Sequence, residues 1–194
     1  MNYGFIYCLS NPAMPGIYKI GMSARSPRHR VDELSNATGV AEPFELLFFG
    51  DVEDARAYEE MAHAHFDSAR VSDSREFFKE DLLVIFHYFE ELCQSVAVTQ
   101  DGRFHLGRED SWKSFSLARD PKEKIEALRS FAQWEGVKLY QRDGCICTSA
   151  PYHFYLSVQL RCAIDSLAPE LSQFLPPEQP SRLRLTAVAS GKDL

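Results

Sequence analysis

The fold is decided by one stretch near the amino terminus, GFIYCLSNPAMPGIYKIGMSARSPRHR, residues 4–30. Aromatic and β-branched residues fill its first segment, and Asn-Pro then marks a turn. A loop rich in proline and glycine follows, and a second apolar segment covers residues 16–23. Ser26-Pro27 predicts a helix start, because serine caps helices and proline fits the first helical position. The stretch therefore predicts a β-hairpin followed by a short helix.

The next segments extend this pattern into a small α+β fold. Residues 43–52, PFELLFFGDV, predict a third strand, and residues 53–69 predict a helix with apolar residues at helical spacing. REFFK, residues 75–79, predicts a short strand or turn. EDLLVIFHYFEELCQ, residues 80–94, predicts a strongly amphipathic helix. The order of elements predicts an α+β protein with a small antiparallel three-stranded sheet flanked by helices.

The second half of the chain has a different character. Residues 96–118 are predicted to be mixed and rich in turns, and a charged helix is predicted over residues 120–135. Asp143-Gly144 lies between two apolar segments and predicts a hairpin turn. A further helix is predicted over residues 153–168. A smaller mixed or helical carboxy-terminal module is therefore expected to follow the sheet.

The resulting domain prediction has three parts. The first domain covers residues 1–95, and the carboxy-terminal module covers residues 96–175. Residues 176–194, which are rich in proline and then in serine and glycine, are predicted to form a flexible tail.

Composition places the chain among ordinary globular proteins, with 45% hydrophobic and 25% charged residues among 194. It contains no apolar run of membrane-spanning length and no recognisable secretion signal at its amino terminus. Its five cysteines are odd in number and irregularly spaced, which predicts free thiols in a reducing cytoplasm rather than a disulfide framework.

Charge is unevenly distributed along the chain. The net charge of −7 argues against a protein that coats nucleic acid non-specifically. Residues 1–31, however, contain no acidic side chain and include Lys19, Arg25, Arg28 and Arg30. Such a local cationic segment predicts contact with phosphate, and we expect Lys19, Arg25 and Arg28 to bind nucleic acid.

An ordered set of motifs across residues 3–80 resembles the GIY-YIG nuclease superfamily. FIY, residues 5–7, stands in the first predicted strand, and KIG, residues 19–21, stands in the second. Gly16-Ile17-Tyr18 has the letters of the first motif but lies in the second predicted strand, so it does not occupy the first-motif position. The segments LSNPAMPG, ATGVAEPFE, EEMAHAHF and EFF follow in the order of the phage-type and meiotically up-regulated gene branch, which the chain resembles more closely.

The resemblance implies a role for each matching residue. Tyr7 takes the place of the tyrosine that orients or deprotonates the attacking water, and Lys19 replaces the second motif tyrosine. Arg30 matches the arginine that faces the scissile phosphate. Glu59 matches the glutamate that holds one divalent metal, Mg²⁺ or Mn²⁺, and His63 matches the branch histidine one turn later. The implied function is a metal-dependent endonuclease acting on DNA.

These residue types suit the chemistry, independently of the resemblance. Phosphodiester hydrolysis needs an activated water and stabilisation of charge on the phosphoryl oxygens. One carboxylate can hold Mg²⁺ together with waters and phosphate oxygens, and arginine gives phosphate a bidentate fork. We also expect Lys19 and Arg30 to lower the pKa of the Tyr7 phenol by favouring its charged form.

Other interpretations remain open from the sequence. Tyr7 could be a core aromatic residue, and Glu59 could lie on a solvated helix face. The domain could be a catalytically silent module that binds nucleic acid or protein on the same fold. It could also be a metal-independent interaction protein that uses its acidic surface, and a protein partner or a homodimer is compatible with either reading.

Overall fold

A computed structural model describes residues 3–37, 39–72, 75–149 and 156–178 of the chain. The start of the predicted helix over residues 153–168 and the predicted tail after residue 178 lie outside the described residues. Among the residues described, no helix is both long enough and apolar enough to cross a membrane.

The centre of the molecule is a five-stranded sheet with the strand order β4-β2-β1-β3-β5. Neighbouring strands all pair antiparallel. The bounds are β1 (Gly4–Ser10), β2 (Tyr18–Ser23), β3 (Glu45–Val52), β4 (Phe77–Phe78) and β5 (Ser95–Val98). The three predicted strands form the middle of the sheet, and two short edge strands extend it. The α+β fold class is therefore confirmed.

Six helices lie within the described residues. They are α1 (Pro27–Ser35), α2 (Ala55–His65), α3 (Leu82–Leu92), α4 (Gln100–Leu117), α5 (Pro121–Trp134) and α6 (Val158–Asp165). Aspartates cap three of them, because the carboxylates of Asp54, Asp81 and Asp120 each accept a backbone N–H from the first turn of α2, α3 and α5. Two 3₁₀ turns, Asp67–Ala69 and Pro169–Phe174, complete these elements.

The two faces of the sheet are covered by different helices. One face packs against α2 and α3 in a large apolar core that includes Ile6, Cys8 and Phe89. The other face packs against α1 in a smaller cluster that contains Tyr7 and Val31. Because side chains alternate along a strand, consecutive residues of β1 belong to different cores.

The prediction that residues 96–118 are mixed and rich in turns is wrong, because α4 spans most of them. Two glycines in α4 reduce its helix propensity but allow close packing. A Cβ on Gly102 would lie 1.9 Å from the Leu47 carbonyl oxygen, and one on Gly107 would lie 2.2 Å from the Trp134 ring. Tertiary packing therefore outweighs local propensity along this helix.

A threonine joins α4 to the sheet at a β-bulge in β3. The register between β1 and β3 shifts beside Leu46 and Leu47. The Thr99 N–H donates to the Leu47 carbonyl at 2.9 Å, and its hydroxyl donates to the Leu46 carbonyl at 2.5 Å. The same hydroxyl accepts the Gly102 N–H at 3.0 Å. This Thr99 cap fixes both the start of α4 and its position on β3.

A second core lies in the carboxy-terminal part of the chain. It combines residues of α4, α5 and α6 with a separate hairpin, β6 (Leu139–Arg142) and β7 (Cys145–Thr148). The hairpin turns at Asp143-Gly144, where both residues have positive φ as a two-residue turn requires. The division into domains 1–95 and 96–175 stays a prediction. Two elements join these parts, since β5 pairs with β3 and α4 contributes to both cores.

Candidate active site

Tyr7 lies in the middle of β1 on the face covered by α1. Its side chain is buried, and its cross-strand partners are Gly21 on β2 and Phe49 on β3. A Cβ on Gly21 would lie 2.6 Å from the Tyr7 hydroxyl oxygen. The glycine of the KIG motif therefore leaves the space in which the Tyr7 ring lies against β2.

An open cleft of about 280 Å³ lies where β2 leads into α1. The residues lining it include Ser23, Arg25, His29, Arg30 and Glu33. The Arg30 guanidinium donates to a Glu33 carboxylate oxygen at 2.9 Å and remains substantially exposed. The cleft thus presents three basic side chains and one acidic side chain to solvent.

The structure separates the two predicted contact arginines. Arg25 lines the cleft together with Arg30, whereas Arg28 is exposed on α1 and is not among the described residues that line it. Arg25 is therefore placed where it could reach a phosphate bound near Arg30. Contact between Arg28 and nucleic acid stays a prediction, and it would have to occur outside this cleft.

The expectation that cations lower the pKa of Tyr7 does not hold in this structure. Burial raises the pKa of the Tyr7 phenol above its ordinary value of 10.0. A hydrogen bond and the positive charge of Arg30 oppose this shift, and the negative charges of Glu59 and Glu76 add to it. Tyr7 is consequently a neutral phenol at neutral pH, held beside the Arg30 guanidinium.

Lys19 is buried on the same face and forms an ion pair with Glu76. Its cross-strand partner is Phe77 on β4, and its ammonium group lies 5.6 Å from the centre of the Phe77 ring. Burial alone would raise the pKa of Glu76, but Lys19, with smaller contributions from His63 and Arg30, lowers it below the ordinary value. A charged pair therefore lies beside Tyr7.

Glu59 and His63 lie one turn apart on α2, along the edge of β2 that β4 leaves uncovered. His63 Nε2 lies 2.9 Å from the Ile20 carbonyl oxygen, so this nitrogen donates the hydrogen bond. The Glu59 carboxylate accepts the backbone N–H of Met22. Both side chains satisfy strand-edge backbone groups that would otherwise lack partners.

Glu59 has the environment of a carboxylate that can accept a cation. Its side chain is half-buried, and burial followed by the negative charge of Glu76 raises the pKa of its carboxyl group. A divalent cation would relieve both effects. Glu59 suits Mg²⁺ or Mn²⁺, which are often bound through one or two carboxylates while keeping several waters. No group of three or more His, Cys, Asp or Glu ligands occurs among the described residues.

Two neighbouring residues of α2 and its following turn have structural contacts. His65 stacks on Tyr88 with ring centres 4.1 Å apart, so it points away from His63. Arg70 donates to the Asp67 carboxylate and to the backbone carbonyls of Arg75 and His63. Arg70 therefore ties the end of α2 to the segment that carries Glu76.

Glu76 is the site residue that sequence reasoning left without a role. Its signals in the sequence were its place in the EFF motif, which the resemblance matches without giving it a role, and its position directly before Phe77-Phe78, the short strand that pairs with β2. Its partner could not be read from spacing, because 57 positions separate it from Lys19. The ion pair with Lys19 exists because β4 and β2 are neighbours in the sheet.

Comparison with protein families agrees with the amino-terminal part of this architecture. A family model for the T5orf172 domain matches residues 4–93, from the start of β1 to the residue after α3. This domain is associated with phage-type, GIY-YIG-like nucleases. The match covers less than half of the chain and includes every candidate site residue. Searches of curated proteins and of solved structures found no match.

Proposed function

We propose that residues 4–93 form a metal-dependent endonuclease domain that hydrolyses phosphodiester bonds in DNA. The observation that carries this proposal is the convergence of Tyr7, Lys19, Arg30, Glu59 and Glu76 around β2. These residues come from β1, β2, α1, α2 and the approach to β4, and their charges act on one another. A purely structural core would not need to bring so many ionisable groups together.

Arg30 and Arg25 would hold the phosphate. Both line the cleft beside Tyr7, and an arginine fork binds two phosphate oxygens at once. Binding would require the Arg30 guanidinium to exchange its Glu33 contact for phosphate. Because both side chains are substantially exposed, that exchange costs little.

Tyr7 would orient the attacking water as a neutral phenol. Its raised pKa means that the phenol is neutral rather than ionised, and close packing of the buried ring against Gly21 positions its hydroxyl. A fixed hydroxyl can accept a hydrogen bond from water and direct the water's lone pair towards phosphorus. Lys19 would position Glu76 and supply positive charge near the reacting phosphate.

Glu59 would hold one Mg²⁺ or Mn²⁺ ion. When bound, such an ion supplies Lewis-acid stabilisation of the phosphoryl and leaving oxygens. His63 fixes the distance between α2 and β2 through its bond to the Ile20 carbonyl. Glu59, one turn earlier on α2, is thereby held against β2 at Met22, where its charge acts on Tyr7.

The proposed setting is the cytoplasm. All five cysteines are free thiols in the structure, and Cys8 is fully buried in the large apolar core. Free thiols persist in a reducing compartment.

The decisive experiment compares cleavage by wild type, Glu59→Gln and Glu60→Gln. Glu60 is the matched control because it is the exposed neighbour of Glu59 and pairs with Arg56. Supercoiled plasmid, single-stranded DNA, branched DNA and structured RNA are incubated with Mg²⁺, Mn²⁺ or EDTA. We expect metal-dependent cleavage of DNA by wild type and Glu60→Gln, and none by Glu59→Gln.

A second readout follows the metal without requiring turnover. Mg²⁺ or Mn²⁺ should raise the Tm of wild type and of Glu60→Gln, because a ligand that binds only the folded state stabilises it. Glu59→Gln should lose this increase. Nucleic-acid binding without cleavage of any substrate would favour a catalytically silent binding module, and cleavage that survives Glu59→Gln would reject the role of Glu59.

A further inference from the structure

Three aromatic side chains form a partly exposed row beside the candidate active site. This aromatic strip consists of Tyr3, Phe5 and Phe49, with ring centres 6.1 Å apart for the first pair and 5.8 Å apart for the second. Tyr3 is 58% exposed, whereas Phe5 and Phe49 are half-buried. Tyr3 is therefore the exposed end of the strip, and the two half-buried phenylalanines support it.

Strand register places the aromatic strip on the same face as Tyr7. Phe49 is the cross-strand partner of Tyr7, and Phe5 precedes Tyr7 by two positions on β1. Cross-strand partners, and residues two apart on a strand, point to the same side of a sheet. The strip therefore extends along the face of the sheet that carries Tyr7, which we call the site face, beyond the cluster that α1 covers.

The cationic cleft borders the aromatic strip on one side. Phe5 pairs with Ser23 on β2, and Ser23 lines the cleft together with Arg25 and Arg30. On its other side Phe5 pairs with Asp51 on β3. Because Asp51 is negatively charged, a phosphate chain would be drawn to the β2 side and repelled from the β3 side.

Asp51 also holds the exposed end of the strip in place. The Tyr3 hydroxyl donates to an Asp51 carboxylate oxygen at 3.4 Å, and the Ser95 hydroxyl donates to the other oxygen at 2.6 Å. An exposed tyrosine ring that is oriented in advance loses little entropy when a flat ligand stacks on it.

We infer that the aromatic strip is a stacking platform, with Tyr3 as its exposed ring, for a base of an unpaired DNA strand whose phosphates lie in the Arg25–Arg30 cleft. This inference rests on the proposed nuclease function and specifies its substrate class. Aromatic side chains beside a cationic groove are the usual means of binding single strands, because every base has a face that can stack. In a duplex the base faces are stacked on each other, so they cannot reach these rings.

The test measures binding separately from cleavage. The full chain carrying Glu59→Gln is titrated, in EDTA, against a single-stranded DNA of about 12 nucleotides and against the matching duplex. The single strand carries one 2-aminopurine, whose fluorescence falls when it stacks on an aromatic ring. Tyr3→Leu removes the exposed ring, and Tyr3→Phe is the matched control that keeps the ring but loses the hydroxyl.

Stacking predicts that Tyr3→Leu weakens single-strand affinity about tenfold and reduces the fluorescence quench. Tyr3→Phe keeps the ring and loses only the contact with Asp51, so it should weaken single-strand binding less than Tyr3→Leu does, and duplex affinity should not change. The salt dependence of binding should be equal in all variants, since no phosphate contact is removed. Tm values for each variant identify any loss of folding.

Equal weakening of single-strand and duplex binding, or no effect of Tyr3→Leu on either, would overturn the platform. Its failure and that of the nuclease proposal are distinguishable. Metal-dependent cleavage by the wild-type chain, together with single-strand binding that does not depend on Tyr3, removes the platform alone. Single-strand binding that depends on Tyr3, in a chain whose wild type cuts nothing, supports the platform and removes the nuclease.

Discussion

The two faces of the sheet are built from alternating residues of the same strands, yet they differ in what covers them. Ile6, Cys8 and Ile20 face the large apolar core and are fully buried beneath α2 and α3. Tyr7 and Lys19 face the opposite side, where the nine-residue α1 covers only part of the sheet. We call the face beneath α2 and α3 the closed face. Because side chains alternate along each strand, neighbouring residues belong to the closed face and the site face in turn.

The difference shows how stability and chemistry can share one strand. The closed face gains free energy from apolar burial alone. The site face holds a buried lysine and a buried phenol, and the Glu59 carboxylate on α2 and the Glu76 carboxylate act on that phenol. Each of these groups is costly to remove from water. The closed face must offset that cost, so substitutions on the two faces should affect different measurements.

Among substitutions on the two faces of the sheet, Tyr7→Phe should have the largest effect on activity and little effect on stability. Removing the hydroxyl that orients water is expected to lower the cleavage rate about 10²- to 10⁴-fold. The free energy of unfolding should change by about 1 kcal/mol or less, because the ring stays in place. Single-turnover cleavage and urea unfolding measure the two quantities.

Tyr18→Phe is the matched control for this prediction. Tyr18 belongs to the Gly16-Ile17-Tyr18 tripeptide, which lies outside the first-motif position, and it is buried in the large apolar core on the closed face. Its substitution should leave the cleavage rate within about twofold, well below the effect of a lost acid or base. A rate loss equal to that of Tyr7→Phe would mean that the two faces have been assigned the wrong way round.

Phe89→Ala should give the converse result on the closed face. Phe89 is fully buried in α3 and packs edge to face on Phe48, with ring centres 5.1 Å apart. The free energy of unfolding should fall by about 3–5 kcal/mol, the usual cost of emptying such a site. Val84→Ala on the same helix is the control, since Val84 is 41% exposed.

The Phe89→Ala variant should retain its cleavage rate per folded molecule when assayed well below its Tm. Denaturant unfolding gives the stability, and active-site titration with a bound oligonucleotide gives the folded fraction. A rate that falls while the protein is fully folded would contradict the separation of the faces.

Gly21→Ala should have an intermediate effect through the position of Tyr7. The added Cβ would lie 2.6 Å from the Tyr7 hydroxyl and 2.8 Å from the adjoining ring carbon, so the rigid ring must move. A small displacement of a water-orienting group is expected to lower the rate about 10- to 100-fold. The double variant with Tyr7→Phe should be no slower than Tyr7→Phe alone, and an additive loss would contradict this mechanism.

Glu59→Gln should have the smallest effect on stability of these substitutions. It should make the protein slightly more stable although it abolishes cleavage. Because burial and Glu76 raise the pKa of Glu59 in the folded state, the folded protein binds more protons than the unfolded chain. The contribution of Glu59 to wild-type stability should therefore fall as pH rises from the ordinary Glu value of 4.5 through the raised pKa.

Glutamine removes this penalty, so the variant should be more stable at pH 7 by about 0.5 kcal/mol, the scale for a partly exposed charge. Below pH 4 the two proteins should have equal stability, since Glu59 is then protonated in both states. Urea unfolding at several pH values in EDTA measures the difference. A variant less stable than wild type at pH 7 would show that the Glu59 charge is favourable without metal.

Much of the sheet could be predicted because its strands carry local signals. Alternating and β-branched residues indicate β1 to β3, and Ser26-Pro27 indicates the start of α1. The edge strand β5 and the long α4 could not be predicted in the same way. SVAV is too short to be decisive, and Gly102 and Gly107 reduce helix propensity where close contact with Leu47 and Trp134 requires glycine.

The candidate site shows a similar division. The ordered motifs singled out Tyr7, Arg30 and Glu59, and the structure brings Arg30 and Glu59 close enough to Tyr7 for their charges to act on it. The raised pKa of Tyr7 depends on burial in three dimensions, which the sequence does not express. The partner of Lys19 likewise depends on which strand lies beside β2.

The Thr99 cap determines how the nuclease-like region could be transplanted into another protein. A fragment cut at residue 93, where the family match ends, would lose β5 and with it the pairing along Phe48–Asp51. The outer edge of β3 would then offer unpaired N–H and C=O groups to other copies, a known route to aggregation. A graft that retains β5, Thr99 and the first turns of α4 would carry its own edge protection. The shortest fragment expected to fold without an exposed sheet edge is therefore longer than the segment that the family model matches.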